Sequence, residues 1–384
     1  MLKTHRRTFF FLASLAFILS FSVQATAALL PTLAEYFNQD PVKVGKLIWI
    51  YMLPYGLCAL IWSPLSRKFS LKNILLFCLA FFSLSALVVA FSFNLLAAFL
   101  GRLGMGIFGS ALIPLSLITI GKECNSKERP KHVGLFFSIG FGSGLFGVFL
   151  SGILPWRFIY GIPACLGIAA LLFGLRYLDS HDYRGKFKIS YLTTFKDKSA
   201  LKLFSFIFIL SFLYHSIHQW LGVYLAQKYS FSQFLISFTL TISAIAAIFS
   251  ESIGGFLSAR FGSSNIASLG LLSMFLFLIF SLTIGIPQAI FFLIIFWGMG
   301  WAFNHVGLSS YLTGLPDEYL RDASSLNSSL RFISGGLGTY FGGKIISKVG
   351  FSTHFISVGV LILIVAALIK KTLVVSNANE HGFN

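Results

Sequence analysis

The chain has 384 residues, of which 56% are hydrophobic and only 11% are charged. A soluble domain carries about 25% charged residues, so this composition excludes a chain that folds entirely in water. The net charge of +17 could indicate a nucleic-acid partner. However, the basic residues stand in short polar gaps between apolar runs of about 20 residues, the length that crosses a bilayer as a helix. The sequence therefore predicts an integral membrane protein with the lipid bilayer as its partner and no nucleic acid.

The first apolar run has the features of a cleavable signal peptide as well as those of a membrane span. It follows the basic start MLKTHRR, and it ends near Gln24-Ala-Thr-Ala27, which resembles a small-residue cleavage site. We expect this segment to be retained as the first span, because the internal repeat described below needs it.

Apolar runs of membrane-spanning length predict an all-α protein with twelve transmembrane helices. They cover roughly residues 8–30, 45–65, 72–91, 95–120, 133–154, 157–177, 203–226, 234–258, 265–285, 289–313, 322–347 and 350–370. The longest gap is polar and predicts a linker. The expected organisation is an N-terminal six-helix half (1–177), a cytoplasmic linker (178–202), a C-terminal six-helix half (203–371) and a cytoplasmic tail (372–384).

The distribution of the 29 Lys and Arg residues predicts the orientation. If the N-terminus is cytoplasmic, most of them fall in cytoplasmic gaps and few in outer ones. Such a bias is typical of bacterial-type inner-membrane proteins. We therefore expect a multi-pass protein of that membrane with both termini in the cytoplasm.

The two predicted halves resemble each other in sequence. A shift of half the chain length aligns Asn73-Ile74 with Asn265-Ile266 and Gly144-Leu145 with Gly336-Leu337. A shift two positions longer aligns Gly104-Met-Gly106 with Gly298-Met-Gly300. Both halves would start in the cytoplasm, so the pattern predicts two parallel repeats about an axis along the membrane normal.

Ionisable residues inside the predicted spans are informative because each costs about 2.5–3.5 kcal/mol to insert. They are Arg102, His215, His218, Glu251, His305 and Arg331. Glu251 is the only carboxylate well inside a span, and removal from water disfavours its charged form. We hypothesise that Glu251 takes up and releases a coupling proton. The alternative is a structural ion pair with Arg260 or Arg331.

Two histidines, His215 and His218, share one face of the seventh predicted span, beside Tyr214 and Gln219. This pattern favours a face that lines a cavity, where histidine could relay protons to Glu251 or bind a polar substrate group. Alternatives are an interhelical hydrogen bond and a metal site. No Cys or carboxylate joins the pair locally, so we expect neither a metal nor another cofactor.

Further polar and aromatic residues could line a substrate cavity. Trp220, Trp297, Trp301 and Tyr311 add aromatic surface, which beside one carboxylate would suit amphiphilic or cationic organic molecules. The alternative for each aromatic residue is helix packing or contact with lipid. The candidates for the cavity are Gln24, Gln219, Trp220, Trp301, Asn304, His305 and Arg331.

Several motifs resemble those of the major facilitator superfamily along nearly the whole chain. Segment 63–72, SPLSRKFSLK, resembles a degraded G-x-L-A-D-R-x-G-R-K motif, and segment 255–262, GFLSARFG, is a closer copy. Arg67 and Ala259 stand where the motif has its acid. Segment 102–106, RLGMG, is similar to the R-x-x-x-G motif of the fourth span. The glycine-rich fifth span resembles that of proton-driven exporters but lacks their Gly-Pro pair. Segment 30–37, LPTLAEYF, is similar to the drug and metabolite proton-antiporter branch.

The resemblance implies roles for individual residues. Arg102 would face the central cavity and assist proton transfer or anion binding, although a hydrogen bond to helix carbonyls is the alternative. Small residues let membrane helices approach closely, and they can also make a pliable gate. The residues assigned to gating or packing are Gly144, Gly147, Gly336, Gly338, Arg67 and Arg260.

The function that these observations favour is secondary active transport of a small organic molecule by alternating access, with proton-coupled efflux as the first choice. Uptake by proton symport or facilitated diffusion is the alternative. A membrane-embedded enzyme that uses the two histidines is remote, because no nucleophile with a base and an orienting group is evident. We expect a monomer that is not an enzyme.

The retained first span gives a direct prediction. Intact-mass measurement of the protein purified from membranes should give the mass of the whole chain. A product that begins at Ala28 would contradict the twelve-span prediction.

Overall fold

The computed structural model describes residues 2–66, 68–123, 128–178, 191, 197–313 and 317–380, and these residues contain no β-strand. Arg67 and most of the predicted linker lie outside the described residues. The helices are α1 (Leu2–Ala28), α2 (Leu30–Phe37), α3 (Pro41–Val44), α4 (Lys46–Leu65), α5 (Leu71–Ala90), α6 (Leu95–Gly109), α7 (Leu112–Glu123), α8 (Arg129–Leu150), α9 (Trp156–Tyr177), α10 (Lys198–His218), α11 (Leu221–Tyr229), α12 (Gln233–Phe261), α13 (Ser263–Thr283), α14 (Ile290–Thr313) and α15 (Asp317–Glu380).

The prediction of an all-α membrane protein with twelve spans is confirmed. In the described part of the chain, eleven helical segments are long and apolar enough to cross a membrane. The last of them, Ser325–Ile369, contains Gly350 with φ of 78°, a backbone conformation that glycine adopts easily. Gly350 therefore separates two spans within α15.

Two predicted spans are interrupted helices. The fourth consists of α6 and α7, and the seventh consists of α10 and α11. At the first break the Trp62 indole N–H donates to Ser110 Oγ at 2.8 Å, and Ser110 Oγ donates to the carbonyl of Ile107. Side chains thus satisfy polar groups at the break, as a helix break at membrane depth requires. Hydropathy alone does not reveal such breaks, because the apolar composition continues through them.

The chain forms two compact units. The first holds the described residues up to Leu178, together with Gln219–Ala226 and Phe231–Ser237, and the second holds 197–218, Gln227–Ser230 and the residues from Phe238 onward. The predicted half boundaries at 177 and 203 stay a prediction.

Each unit has the same internal helix pairing. In the first, α1 packs on α8, and α5 packs on α6 and α9. In the second, α10 packs on α15, and α13 packs on α14 and α15. The α10 contact uses the part of α15 before Gly350, where Gly338 meets Phe212. The α13 contact uses the part after it, where Gly359 meets Phe275.

Glycines set the closest helix approaches at matching places in the two units. Gly106 faces the Tyr51 carbonyl oxygen in the first unit, and Gly298 faces that of Ser243 in the second. Gly147 faces the carbonyl of Phe21 in the same way as Gly338 faces that of Phe212. A Cβ at any of these glycines would overlap the opposite carbonyl oxygen. Gly106 thus takes the packing position in the first unit that Gly298 takes in the second. The longer sequence shift had aligned Gly298 with Gly104 instead.

The contact between Gly147 and Phe21 yields a matched test of packing. Gly147→Ala should destabilise the protein by about 1–3 kcal/mol, because the added methyl group pushes α1 and α8 apart. Gly142, also in α8, has open space around the position of a Cβ. Gly142→Ala should therefore leave the thermal denaturation midpoint in detergent unchanged or slightly higher. Equal midpoints for the two variants would contradict the account.

Candidate functional site

A stack of aromatic rings lies within the second unit. Tyr214 of α10 lies face to face with Trp301 of α14, with ring centroids 3.9 Å apart and planes 20° apart. The same tyrosine is stacked with Trp297, with centroids 5.2 Å apart. Trp297 and Trp301 project from one face of α14 because residues four apart are neighbours on a helix. The stack joins α10 to α14 through two side chains of one helix and one of the other.

The two histidines of α10 border this stack. The Trp297 indole N–H donates to His218 Nδ1 at 3.2 Å, and the His218 ring lies parallel to Tyr214 with centroids 4.7 Å apart. His215 meets Trp301 edge-on at 5.8 Å, and its Nδ1 lies 3.1 Å from the carbonyl oxygen of Ser211. Both rings are half-buried. The structure thus brings the two predicted residues together around Tyr214.

Charged groups lie at the other end of the stack. His305, one turn beyond Trp301 in α14, places Nδ1 3.4 Å from Glu251 Oε1, and each side chain is 31% exposed. The Arg331 guanidinium carbon lies 5.7 Å from the centroid of Trp301, and its Nε donates to Asn327 Oδ1. Arg331 also interacts electrostatically with Glu251. A single patch therefore holds one carboxylate, two potential cations and the exposed part of the aromatic stack.

This arrangement brings a carboxylate together with an imidazole and a guanidinium. Glu251 lies beside the imidazole of His305 and interacts electrostatically with the guanidinium of Arg331, and opposite charges attract strongly away from water. The three groups come from α12, α14 and α15, so their interaction joins these helices. In the described part of the chain, no three His, Cys, Asp or Glu side chains gather as a metal site.

Arg102 occupies the interior of the first unit. The side chain is 1% exposed, and its Nε donates to the carbonyl of Leu47 at 2.9 Å. Its guanidinium carbon lies 4.3 Å from the centroid of Tyr51 and 5.8 Å from that of Tyr160. This hydrogen bond to a helix carbonyl is the alternative that the sequence left open to a cavity-facing role of Arg102. A role in proton transfer stays a prediction.

The remaining candidates differ in exposure. In the first unit, Gln24 is exposed and contacts Gly144, whereas Trp220 is 1% exposed and packs on Gly45. Gln219 is half-buried.

In the second unit, Asn304 is buried, its backbone lies against Gly270, and its side-chain amide has no hydrogen-bond partner among the described residues. Gly336 is buried, and Arg260 is exposed beside the ring of Phe261. In this structure Trp220 and Asn304 are enclosed by protein, so their part in lining a cavity also stays a prediction.

Sequence reasoning placed Tyr214 beside the histidines but not at the centre of a stack, and it missed Asn327 and Ser211. Tyr214 forms the centre of the stack, Asn327 orients Arg331, and Ser211 donates its hydroxyl to the Arg331 carbonyl. The spacing of Trp297, Trp301 and His305 could have signalled one aromatic and polar face of α14. No sequence signal marks Asn327, because it differs little from the polar residues around it.

Exposure of Gln24 can be tested by cysteine labelling in a background in which native cysteines are replaced by serine. Gln24→Cys should react with a charged, water-soluble thiol reagent, because an exposed polar side chain within a span is expected to face water. Phe146→Cys is the control, since Phe146 of α8 is 57% exposed but apolar, and we expect it to face lipid. Labelling of Phe146→Cys without labelling of Gln24→Cys would contradict this assignment.

Comparison with known proteins agrees with the fold and the motifs. The sequence profile of the Major Facilitator Superfamily matches residues 11–339. The "Probable sugar efflux transporter" of Helicobacter pylori (strain ATCC 700392 / 26695) is 23% identical over 356 residues, which cover 90% of this chain and 89% of the relative. That of Pasteurella multocida (strain Pm70) is 22% identical over 337 residues, which cover 85% and 82%.

Solved structures with the same fold include other transporters. The nucleoside transporter NupG has a TM-score of 0.78 at 15% identity and covers 95% of this chain and 98% of its own. The D-xylose-proton symporter has a TM-score of 0.76 at 11% identity and covers 94% and 96%. Since the family profile covers most of the chain, this protein belongs to the major facilitator superfamily and is a multi-pass membrane transporter of small molecules.

Proposed function

We propose that the protein exports a sugar, or a similar small polyhydroxylated molecule, in exchange for protons. The observation that carries the proposal is the pairing of Glu251 with His305 next to the Trp301–Tyr214 stack. It combines a group that can exchange a proton with a half-exposed aromatic and polar surface that can bind an organic molecule. Both parts lie within one unit of the chain.

The proton part of the proposal rests on the cost of charge in a membrane. An ionisable residue inside a span is energetically tolerated only where it has partners. Such residues commonly mark ion pathways in transporters. Glu251 has His305 and Arg331 as partners, yet 31% of its side chain is accessible. A partner-stabilised but accessible carboxylate can exchange a proton with water and also respond to a substrate nearby.

The substrate part rests on the chemistry of the site and on the names of relatives. A pyranose ring has an apolar C–H face that packs on aromatic rings, and hydroxyl groups that bond to polar side chains. Trp301 offers an aromatic edge and face, and His215 and His218 offer hydrogen-bonding nitrogens beside it. Arg331 would repel a cation, so these residues favour a neutral molecule over the cationic substrates that aromatic content alone suggested. Relatives that align along most of the chain carry the name "Probable sugar efflux transporter".

Uptake by proton symport or by facilitated diffusion is the second candidate, because Glu251 could couple proton movement to transport in either direction.

The distribution of Lys and Arg supports an orientation with both termini in the cytoplasm of a bacterial-type inner membrane. In that orientation export moves the sugar from the side of the termini to the opposite side. We propose that the protein acts as a monomer.

The proposal is testable in everted membrane vesicles that hold a respiration-driven, acid-inside pH gradient. L-arabinose, D-xylose, D-glucose and lactose are added separately, and a lipophilic cation represents the competing substrate class. At least one sugar should discharge the gradient with the wild-type protein. Glu251→Gln should reduce that discharge at least about tenfold, which corresponds to about 1.4 kcal/mol of lost coupling.

Glu35→Gln is the matched control because it removes the same charge from an exposed position in α2. It should discharge the gradient like the wild type. Sugar entry without discharge would support facilitated diffusion instead of exchange. Discharge by the cation alone, or full activity of Glu251→Gln, would overturn the proposal.

A further inference from the structure

The two histidines of α10 differ in which nitrogen carries the proton. A neutral imidazole has one N–H donor and one bare acceptor nitrogen, and a hydrogen bond at one nitrogen decides the state of the other. Both rings have such a bond at Nδ1. Their partners have opposite hydrogen-bonding character, so the tautomer that each neutral ring adopts can be read from the geometry.

His218 is a neutral ring with its proton on Nε2. Its Nδ1 lies 3.2 Å from Trp297 Nε1, and an indole N–H can only donate. Nδ1 must therefore be the bare acceptor. Tyr214 is stacked on both His218 and Trp297, with centroids 4.7 Å and 5.2 Å away, and this holds the two rings in register. A proton on His218 Nδ1 would break the bond to Trp297.

His215 has the opposite arrangement. Its Nδ1 lies 3.1 Å from the carbonyl oxygen of Ser211, one helical turn earlier, and a carbonyl oxygen can only accept. Nδ1 therefore carries a proton, and in the neutral ring Nε2 is then the bare acceptor. Edge-on contacts with Tyr214 and Trp301 fix this ring, with centroids 5.0 Å and 5.8 Å away.

The pair therefore presents one donor and one acceptor. His215 and His218 lie three residues apart on one helix face, and both are half-buried. Among the described residues, neither Nε2 atom has a hydrogen-bond partner in the protein. An ammonium group can only donate and a carboxylate can only accept, whereas a hydroxyl group does both. Two adjacent hydroxyl groups of a sugar also donate and accept, and together they reach across a longer distance than one hydroxyl group.

We propose that His215 and His218 recognise substrate hydroxyl groups, with His215 Nε2 accepting a hydrogen bond and His218 Nε2–H donating one. Trp297 is then a positioning residue, because it acts on the substrate only by holding the tautomer of His218. This inference rests on the proposed function, since it specifies how a polyhydroxylated substrate is distinguished from an amine or an acid. A donor and an acceptor that the wrong ligand shields from water but leaves unpaired are the source of that selectivity.

The first test reads the tautomers without any substrate. The full-length protein is labelled with 15N-histidine, purified in detergent and studied by NMR at neutral pH, with signals assigned from His215→Phe and His218→Phe. His218 should show a protonated Nε2 and a bare Nδ1, and His215 the reverse. Trp297→Phe keeps the ring but removes the N–H, so it should convert His218 to a mixture of tautomers.

Trp301→Phe is the matched control. It replaces the neighbouring indole of the same stack with a smaller ring. Trp301 makes no hydrogen bond to either histidine in the described structure. Its His218 signal should stay that of a single tautomer. An imidazolium at His218, the same tautomer at both histidines, or no effect of Trp297→Phe would overturn the inference.

The second test measures recognition of the hydroxyl. For each sugar that discharges the pH gradient, its singly deoxygenated analogues compete in the same vesicle assay. One analogue should compete about tenfold to hundredfold more weakly with the wild type, and this penalty should disappear in His218→Phe. An unchanged penalty in both His215→Phe and His218→Phe would overturn hydroxyl recognition. If no sugar is transported, the proposed function fails and hydroxyl recognition fails with it, whereas the NMR result still decides the tautomers.

Discussion

The cost of placing charge in a hydrocarbon environment is the constraint on which the rest of this structure depends. An ionisable side chain in a span is tolerated only where the protein supplies partners. Arg102 finds them in the Leu47 carbonyl and the faces of Tyr51 and Tyr160. Glu251 finds them in His305 and Arg331. The first solution encloses a guanidinium, and the second leaves a carboxylate partly accessible.

The scaffold that holds these groups is built from close helix contacts. Matching glycines let one helix rest on the backbone carbonyl of another, as at Gly147 with Phe21 and at Gly338 with Phe212. Dispersion forces over such contacts replace the hydrophobic effect, which does not drive helices together in lipid. In the second unit, the contact at Gly338 fixes α10 against α15, so Ser211 reaches Arg331 and the histidines border the aromatic stack.

Hydropathy and charge predicted the spans and the ionisable residues of the site, because both depend on local composition. Glu251, His305 and Arg331 could be selected since any charge in a span needs an explanation. Aromatic residues were ambiguous because lipid, protein core and substrate all accept them. Trp220 is enclosed against Gly45, whereas Trp301 belongs to the site. Span composition does not report the rotation of a helix about its axis, so it could not identify Tyr214 as the centre of the stack.

Exchange of sugar for protons is the central claim, and purified protein in liposomes tests it most directly. A sugar gradient is imposed with no pH difference across the membrane, and the internal pH is followed with a trapped dye. The account predicts that sugar leaving the liposome drives protons inward, and that this proton movement is lost in Glu251→Gln. Sugar flux without proton movement, or protons that follow the sugar in the same direction, would contradict it.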